Sequence, residues 1–162
     1  MNKISRHISY KEAVYSATAK RKGIKNVPND DQIYNMRKVA DYIFEPLRLY
    51  VGGAIKITSF FRSQELNAAI GGAYKLVDGK KIQTSQHCKG QAIDIDDVFG
   101  HKTNYEMFEY IRENLDFDQL IYEFGTNDNP DWVHVSYVSK KENRNRVLRA
   151  IRENGKTRYE LF

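Results

Sequence analysis

Residues 84–96 read Thr84-Ser85-Gln86-His87-Cys88-Lys89-Gly90-Gln91-Ala92-Ile93-Asp94-Ile95-Asp96 and set an imidazole and a carboxylate seven positions apart. On one helix His87 and Asp94 would be separated by two turns, roughly 10 Å of rise, too far to share an ion with bonds of about 2 Å. They converge only if the chain doubles back between them. Lys89-Gly90 supplies the turn, because glycine accepts backbone angles that other residues avoid. Beyond it Ala92, Asp94 and Asp96 fall on one face of a strand, and Ile93 and Ile95 on the other. The pattern is that of a metal site with ligands on a loop and an adjoining strand.

A third donor is His134. In Trp132-Val133-His134-Val135-Ser136-Tyr137 the valines suit a core, so Trp132, His134 and Ser136 point to the opposite face. Two histidines and one carboxylate with an open fourth position is the donor set of catalytic zinc. It also suits manganese, nickel or iron. Asp131, three residues before His134, could take a proton from a bound water and pass it to a leaving amine. Glu123, near the end of the preceding strand, competes for that role. Arg62 could pair bidentately with a substrate carboxylate, and Ser85 could donate to substrate or fix the ligand loop. Each residue also has a plainer reading. A lone histidine is more often a satisfied side chain than a ligand, and a lone arginine more often a surface ion pair worth about 0–1 kcal/mol.

These residues need elements to hold them. Ser9 with Glu12 resembles a capping box that opens a helix running to about Ala19. Asn29-Asp30-Asp31 caps a longer helix over residues 30–49, whose Ile33, Met36, Val39, Ala40, Ile43, Phe44 and Leu47 follow the spacing of a buried stripe. Pro46 is expected to kink or end it. Residues 54–59 read as a strand, 64–70 as a short helix, and 73–83 as a hairpin with an Asp78-Gly79 turn. Residues 104–115 read as an amphipathic helix with Tyr105, Phe108, Ile111 and Leu115 inward, and 117–124 as a strand. Residues 140–154 read as a basic helix with a modest Val147, Leu148 and Ile151 stripe. The order predicts one α+β domain over 1–162, a small antiparallel sheet with flanking helices.

Length and composition agree: 162 residues, 41% hydrophobic and 29% charged, suit one soluble domain. The single cysteine excludes an internal disulfide and a multi-cysteine zinc site. The net charge of +5 favours an anionic partner. No apolar run of about 18 residues occurs, so no membrane insertion is expected. The N-terminus lacks the pattern of a signal peptide, which predicts synthesis in the cytoplasm.

Four segments carry a family likeness: Ser59-Phe60-Phe61-Arg62-Ser63, Leu66-Asn67-Ala68-Ala69-Ile70-Gly71-Gly72, residues 85–95 with their S-x-H-x-x-G-x-A-x-D pattern, and Trp132-Val133-His134-Val135-Ser136. Together they resemble the zinc D-Ala-D-Ala carboxypeptidases (family M15) and related phage endolysins, with a core at about residues 30–138. The resemblance implies the small α+β fold shared with the Hedgehog signalling domain, and one Zn2+ per chain on His87, Asp94 and His134. It implies Asp131 as the catalytic carboxylate, where many members have the longer Glu, and Arg62 and Ser85 as substrate-side residues. Phe60 and Phe61 stand where many members have Gly-Tyr, which would alter the pocket wall.

The activity implied is hydrolysis of a peptidoglycan stem-peptide bond, by a monomer acting on the cell wall after release or from a virion. The basic charge would then attract the chain to an anionic wall. Two rivals come from other classes. A zinc-bearing binding module would hold a ligand without turning it over. A nucleic-acid binder would show strongly salt-dependent affinity, but no nucleic-acid motif is present, so no nucleic-acid partner is expected.

Overall fold

The computed structural model describes residues 1–162. The lead-in is not irregular: β1 (Lys3–Ser5) and β2 (Ile8–Ser9) form a small antiparallel ribbon. The helix predicted next is two helices, α1 (Tyr10–Val14) and α2 (Ala17–Lys22). Ser9 caps the first as expected, accepting from the Glu12 N–H, but Tyr15 is extended and Ser16 caps a fresh start. A second capping serine within one turn of the first helix's end explains the break.

The long helix is present as α3 (Asp30–Val39), a π turn over Ala40–Phe44, and α4 (Glu45–Val51). Asn29 and Gln32 close a full capping box at its start. Pro46 does not end it early, since the helix runs on to Val51. A proline lacks the N–H for the ordinary bond and its ring crowds the carbonyl four residues back. The π turn, in which the Glu45 N–H reaches the Ala40 carbonyl, shifts the helical register just before the proline. Gly52, at φ 74°, then ends the helix in the left-handed conformation.

The remaining elements are β3 (Lys56–Ser59), α5 (Gln64–Ala69), β4 (Tyr74–Val77), β5 (Lys80–Gln83), a 3-10 turn over Gln86–Lys89, β6 (Ala92–Asp96), α6 (Asn104–Asn114), β7 (Gln119–Glu123), β8 (Trp132–Ser136), β9 (Arg146–Glu153) and β10 (Lys156–Leu161). The architecture is α+β. Its main sheet has six strands in the order β10-β9-β7-β8-β6-β3, and it is mixed rather than antiparallel, because β9 runs parallel to β7. The parallel pair arises because the chain leaves β8, passes β7 and returns on its far side.

The C-terminal basic helix expected at 140–154 is not formed. Leu148 and Ala150 are buried on one face of β9, while Arg149 bonds Asn127, a period of two rather than 3.6. Asn154 (φ 53°) and Gly155 (φ 75°) make the tight turn into β10. An Asn-Gly pair is the strongest short-range hairpin cue, and it outweighs a weak apolar stripe.

One face of the sheet is core. Ile57, Ile93, Ile95, Leu120, Tyr122, Val133 and Val135 pack against Met36, Ile43 and Leu47 of the long helix and Met107, Phe108 and Ile111 of α6. Tyr105, expected inward, is exposed and Met107 takes its place. Burying each large side chain contributes about 1.5–3 kcal/mol, so this layer holds the other face rigid. No helix is long and apolar enough to cross a membrane.

Candidate metal centre

The ligand turn is built to present one nitrogen. Ser85 accepts the His87 N–H through its hydroxyl at 3.2 Å, and Gly90 (φ 72°) ends the turn. A side chain at Gly90 would meet the Gln32 carbonyl oxygen at 2.4 Å, so glycine is needed there for close approach as well as for φ. Gln32 and Asn35 of α3 donate to the Cys88 and Lys89 carbonyls at 3.0 and 2.9 Å and clamp the turn to the helix. The His87 ring is oriented by its Nδ1, 2.7 Å from the Phe60 carbonyl oxygen. A carbonyl only accepts, so Nδ1 carries the proton and Nε2 is left with a free lone pair.

That Nε2 is buried and has no hydrogen-bond partner, although it lies 3.3 Å from Asp94 Oδ1 without the alignment a bond requires. Asp94 and His134 face each other across β6 and β8, with His134 Nδ1 2.8 Å from the same Oδ1. The three ligating atoms lie within 4.8 Å of one another. Separations of 2.8 and 3.3 Å are those of donors about 2 Å from a common centre. An orphaned buried nitrogen, a second imidazole and a carboxylate therefore fit a zinc ion, whose binding would displace the proton shared between His134 and Asp94.

Burial pushes the His87 imidazole below its ordinary value, and Asp94 offsets this only in part. Burial alone would raise Asp94, but the adjacent His87 imidazole and the hydrogen bond from His134 Nδ1 bring it well below the usual carboxylate range. Arg62 also pairs with the carboxylate, its Nη2 3.4 Å from Asp94 Oδ2. The guanidinium is itself held by Ser59 Oγ (3.0 Å) and Asn67 Oδ1 (3.3 Å). Three of its five N–H groups are thus engaged, leaving two for a ligand. Beside it opens a cavity of about 450 Å³, bordered by Tyr15, Thr58, Phe61, Arg62, Asp94 and Trp132.

The two carboxylates considered for proton transfer differ. Asp131 lies exposed one residue before β8, with its N–H on the Glu123 carbonyl (2.9 Å) and its carbonyl receiving Asn104 Nδ2 (3.1 Å). Glu123 is buried and opposite Trp132 in register, on the sheet face that carries His134. Burial pushes Glu123 up to about 7, with His134 opposing the shift and Asp94 adding to it. Sequence reading missed Asn104 and Asn67. Asn104 joins Asp96, Pro130 and Asp131 and accepts from the Asp97 N–H, but it stands at the start of a helix, where nothing in the sequence marks it.

Glu123 has a measurable consequence in the metal-free protein. Its raised value means the native state holds a proton that the unfolded chain gives up from about 4.5 upward. Stability is therefore lost as pH rises through the interval from 4.5 to about 7. A shift of this size corresponds to about 3 kcal/mol above neutrality. Glu123→Gln should raise the urea midpoint of chelator-treated protein at pH 8 and leave it nearly unchanged at pH 4. Equal midpoint shifts at both pH values would contradict the assignment.

A sheet face that gathers two imidazoles and a carboxylate around one point, with an arginine at a cavity edge, has the donor set of a mononuclear metal site. The chain belongs to the peptidase M15 family, whose model matches residues 6–136. Among curated proteins no sequence matches it.

Proposed function

We propose that this chain is a zinc peptidase that hydrolyses a peptide bond in the stem peptides of bacterial peptidoglycan, as an endopeptidase or D,D-carboxypeptidase, in the manner of a phage or prophage cell-wall lysin. The observation that carries the reading is the convergence of His87 Nε2, Asp94 Oδ1 and His134 Nδ1 beside the Arg62 cavity. Zinc bound there would polarise the scissile carbonyl and bring the pKa of a water to about 7.

The chain's own groups do the rest. Arg62, with two donors free, holds a substrate carboxylate or the oxygen that gains charge in the transition state. Asp131 accepts the proton of the attacking water and returns it to the departing amine, so no net proton is consumed in that exchange. Ser85 fixes the ligand turn by accepting the His87 N–H, and it borders a separate cleft with Gln32, Cys88 and Lys89 rather than the Arg62 cavity. Tyr15, Phe61 and Trp132 supply apolar walls that exclude water from one side of the centre. The charge of +5 supports attraction to a wall rich in phosphate and carboxylate.

Digestion of purified peptidoglycan tests this, with and without chelator and zinc add-back, read by mass spectrometry of the fragments. Chelator-sensitive release restored by zinc is expected, and the fragment masses name the bond. Zinc in the protein without release would favour a non-catalytic binding module of the same family.

A further inference from the structure

The hairpin β9–β10 lies outside the residues the family model matches, yet it extends the sheet face that bears the metal centre. Two rows of residues cross that face. One runs Asp94, His134, Ile121, Leu148; the next runs Trp132, Glu123, Ala150, Tyr159. With strands about 4.8 Å apart, β6 to β10 spans roughly 19 Å, the length of five to six extended residues. Ala150 is small and buried, so the second row dips between Glu123 and Tyr159. Tyr159 is half exposed beyond the dip. Its register opposite Ala150, itself opposite Glu123, places Tyr159 on the face that carries Glu123.

Arg152 stands two residues beyond Ala150, on the same face. Its guanidinium lies 4.3 Å over the Phe124 ring, and Phe124 meets Trp132 edge-on at 5.4 Å. Phe124 reaches this position because its φ of 55° departs from the strand, and its ring packs beside Ile121, Leu148 and Ala150. An aromatic path thus joins the cavity wall at Trp132 to a cation. Glu153 and Glu160 both pair with Arg158, Arg149 bonds Asn127, and Glu123, close enough to feel the Arg152 charge, makes no ion pair with it. Arg152 pairs with none of them. A guanidinium fixed over an aromatic ring, with its fork free, is a carboxylate receptor.

We propose that the C-terminal hairpin is the second wall of the substrate cleft, in which Arg152 receives a carboxylate of the peptide substrate and the Tyr159 hydroxyl donates to its backbone. The inference rests on the peptidase reading above and adds to it where specificity is set. The hairpin lies across the metal centre from the Arg62 cavity, so a peptide bound to both crosses the centre between them.

The test uses the full-length zinc-loaded chain and synthetic stem peptides, each with its free carboxylates or with one amidated at a time. Arg152→Ala should raise KM about 10-fold or more on the free-acid peptide with kcat within about 3-fold, and Arg152→Lys should recover part of the loss. Amidating the recognised carboxylate should weaken wild type equally and add nothing to the Arg152→Ala defect. Tyr159→Phe should raise KM several-fold on both peptides. Arg158→Ala, a charge removal on the same hairpin, should leave KM unchanged. Equal losses on the free-acid and every amidated peptide, or no change in KM, would overturn the proposal. Fluorescence titration of Trp132, the single tryptophan, reads binding without turnover. If no peptide is cleaved, weaker binding by Arg152→Ala upholds the cleft wall while the hydrolase reading fails. Binding unchanged in both variants overturns the cleft wall on its own.

Discussion

Asp94→Asn should leave a folded protein with no usable metal centre and no detectable peptidase activity. Asp94 is the group on which the site converges: both histidines and Arg62 approach its two oxygens at 2.8–3.4 Å. Asparagine keeps the shape but gives up the anion that balances a dication and the guanidinium. Metal affinity should fall by at least about 100-fold, since loss of a supporting partner alone typically costs 10–100-fold. Removing one member of a buried ion pair also costs about 3–5 kcal/mol, because the remaining charge stays unpaired. Because the Asp94 carboxyl is held below its ordinary value, that contribution is present above about pH 4 and fades as pH falls further. Elemental analysis of the purified variant and urea unfolding at pH 7 and near pH 2 check both parts. A variant that keeps one zinc per chain and its activity would remove Asp94 from the ligand set.

Asp131→Asn should lower kcat by about 10²- to 10⁴-fold while zinc stays bound, the range typical for a lost general acid–base group. The carboxylate is exposed and its backbone is pinned on both sides, by the Glu123 carbonyl and by Asn104. It can therefore approach a substrate without a change in the strand that carries His134. Glu123→Gln provides the contrast. Poised near neutrality, Glu123 would produce a limb near pH 7 in the rate profile if it carried the proton. A large loss in Glu123→Gln with that limb removed, and little loss in Asp131→Asn, would transfer the role to Glu123. Metal content and kcat measured on the same preparations separate this outcome from a ligand effect.

The ligand segment was legible because its information is short-ranged: a capping serine, a turn glycine and an alternating strand place His87 and Asp94 within a few residues. His134 was legible from the alternation of β8, whose valines went to the core as expected. Its convergence with Asp94 was not, because strand pairing is set by the whole sheet rather than by either strand. The C-terminal region misled in a different way. Val147, Leu148 and Ile151 fit a helical stripe as well as a strand, and only the Asn154-Gly155 turn separates the two. The mixed sheet followed from that same misreading, since the parallel strand was the one taken for a helix. Glu123 was read as a rival for proton transfer, but its side chain lies opposite Ala150 of β9, the strand taken for a helix.

The same hairpin bears on solubility. Strand β7 carries Leu120, Ile121 and Tyr122, and β9 occupies the side of it that β8 leaves open. Without β9 that side would offer unpaired backbone groups flanked by apolar side chains, a template for pairing with another chain. The edge instead falls at β10, where Lys156, Arg158 and Glu160 alternate along an exposed strand. Charges at such spacing disfavour the addition of a further strand. The polypeptide that furnishes the cleft wall also guards each molecule against its copies at the concentrations reached during synthesis.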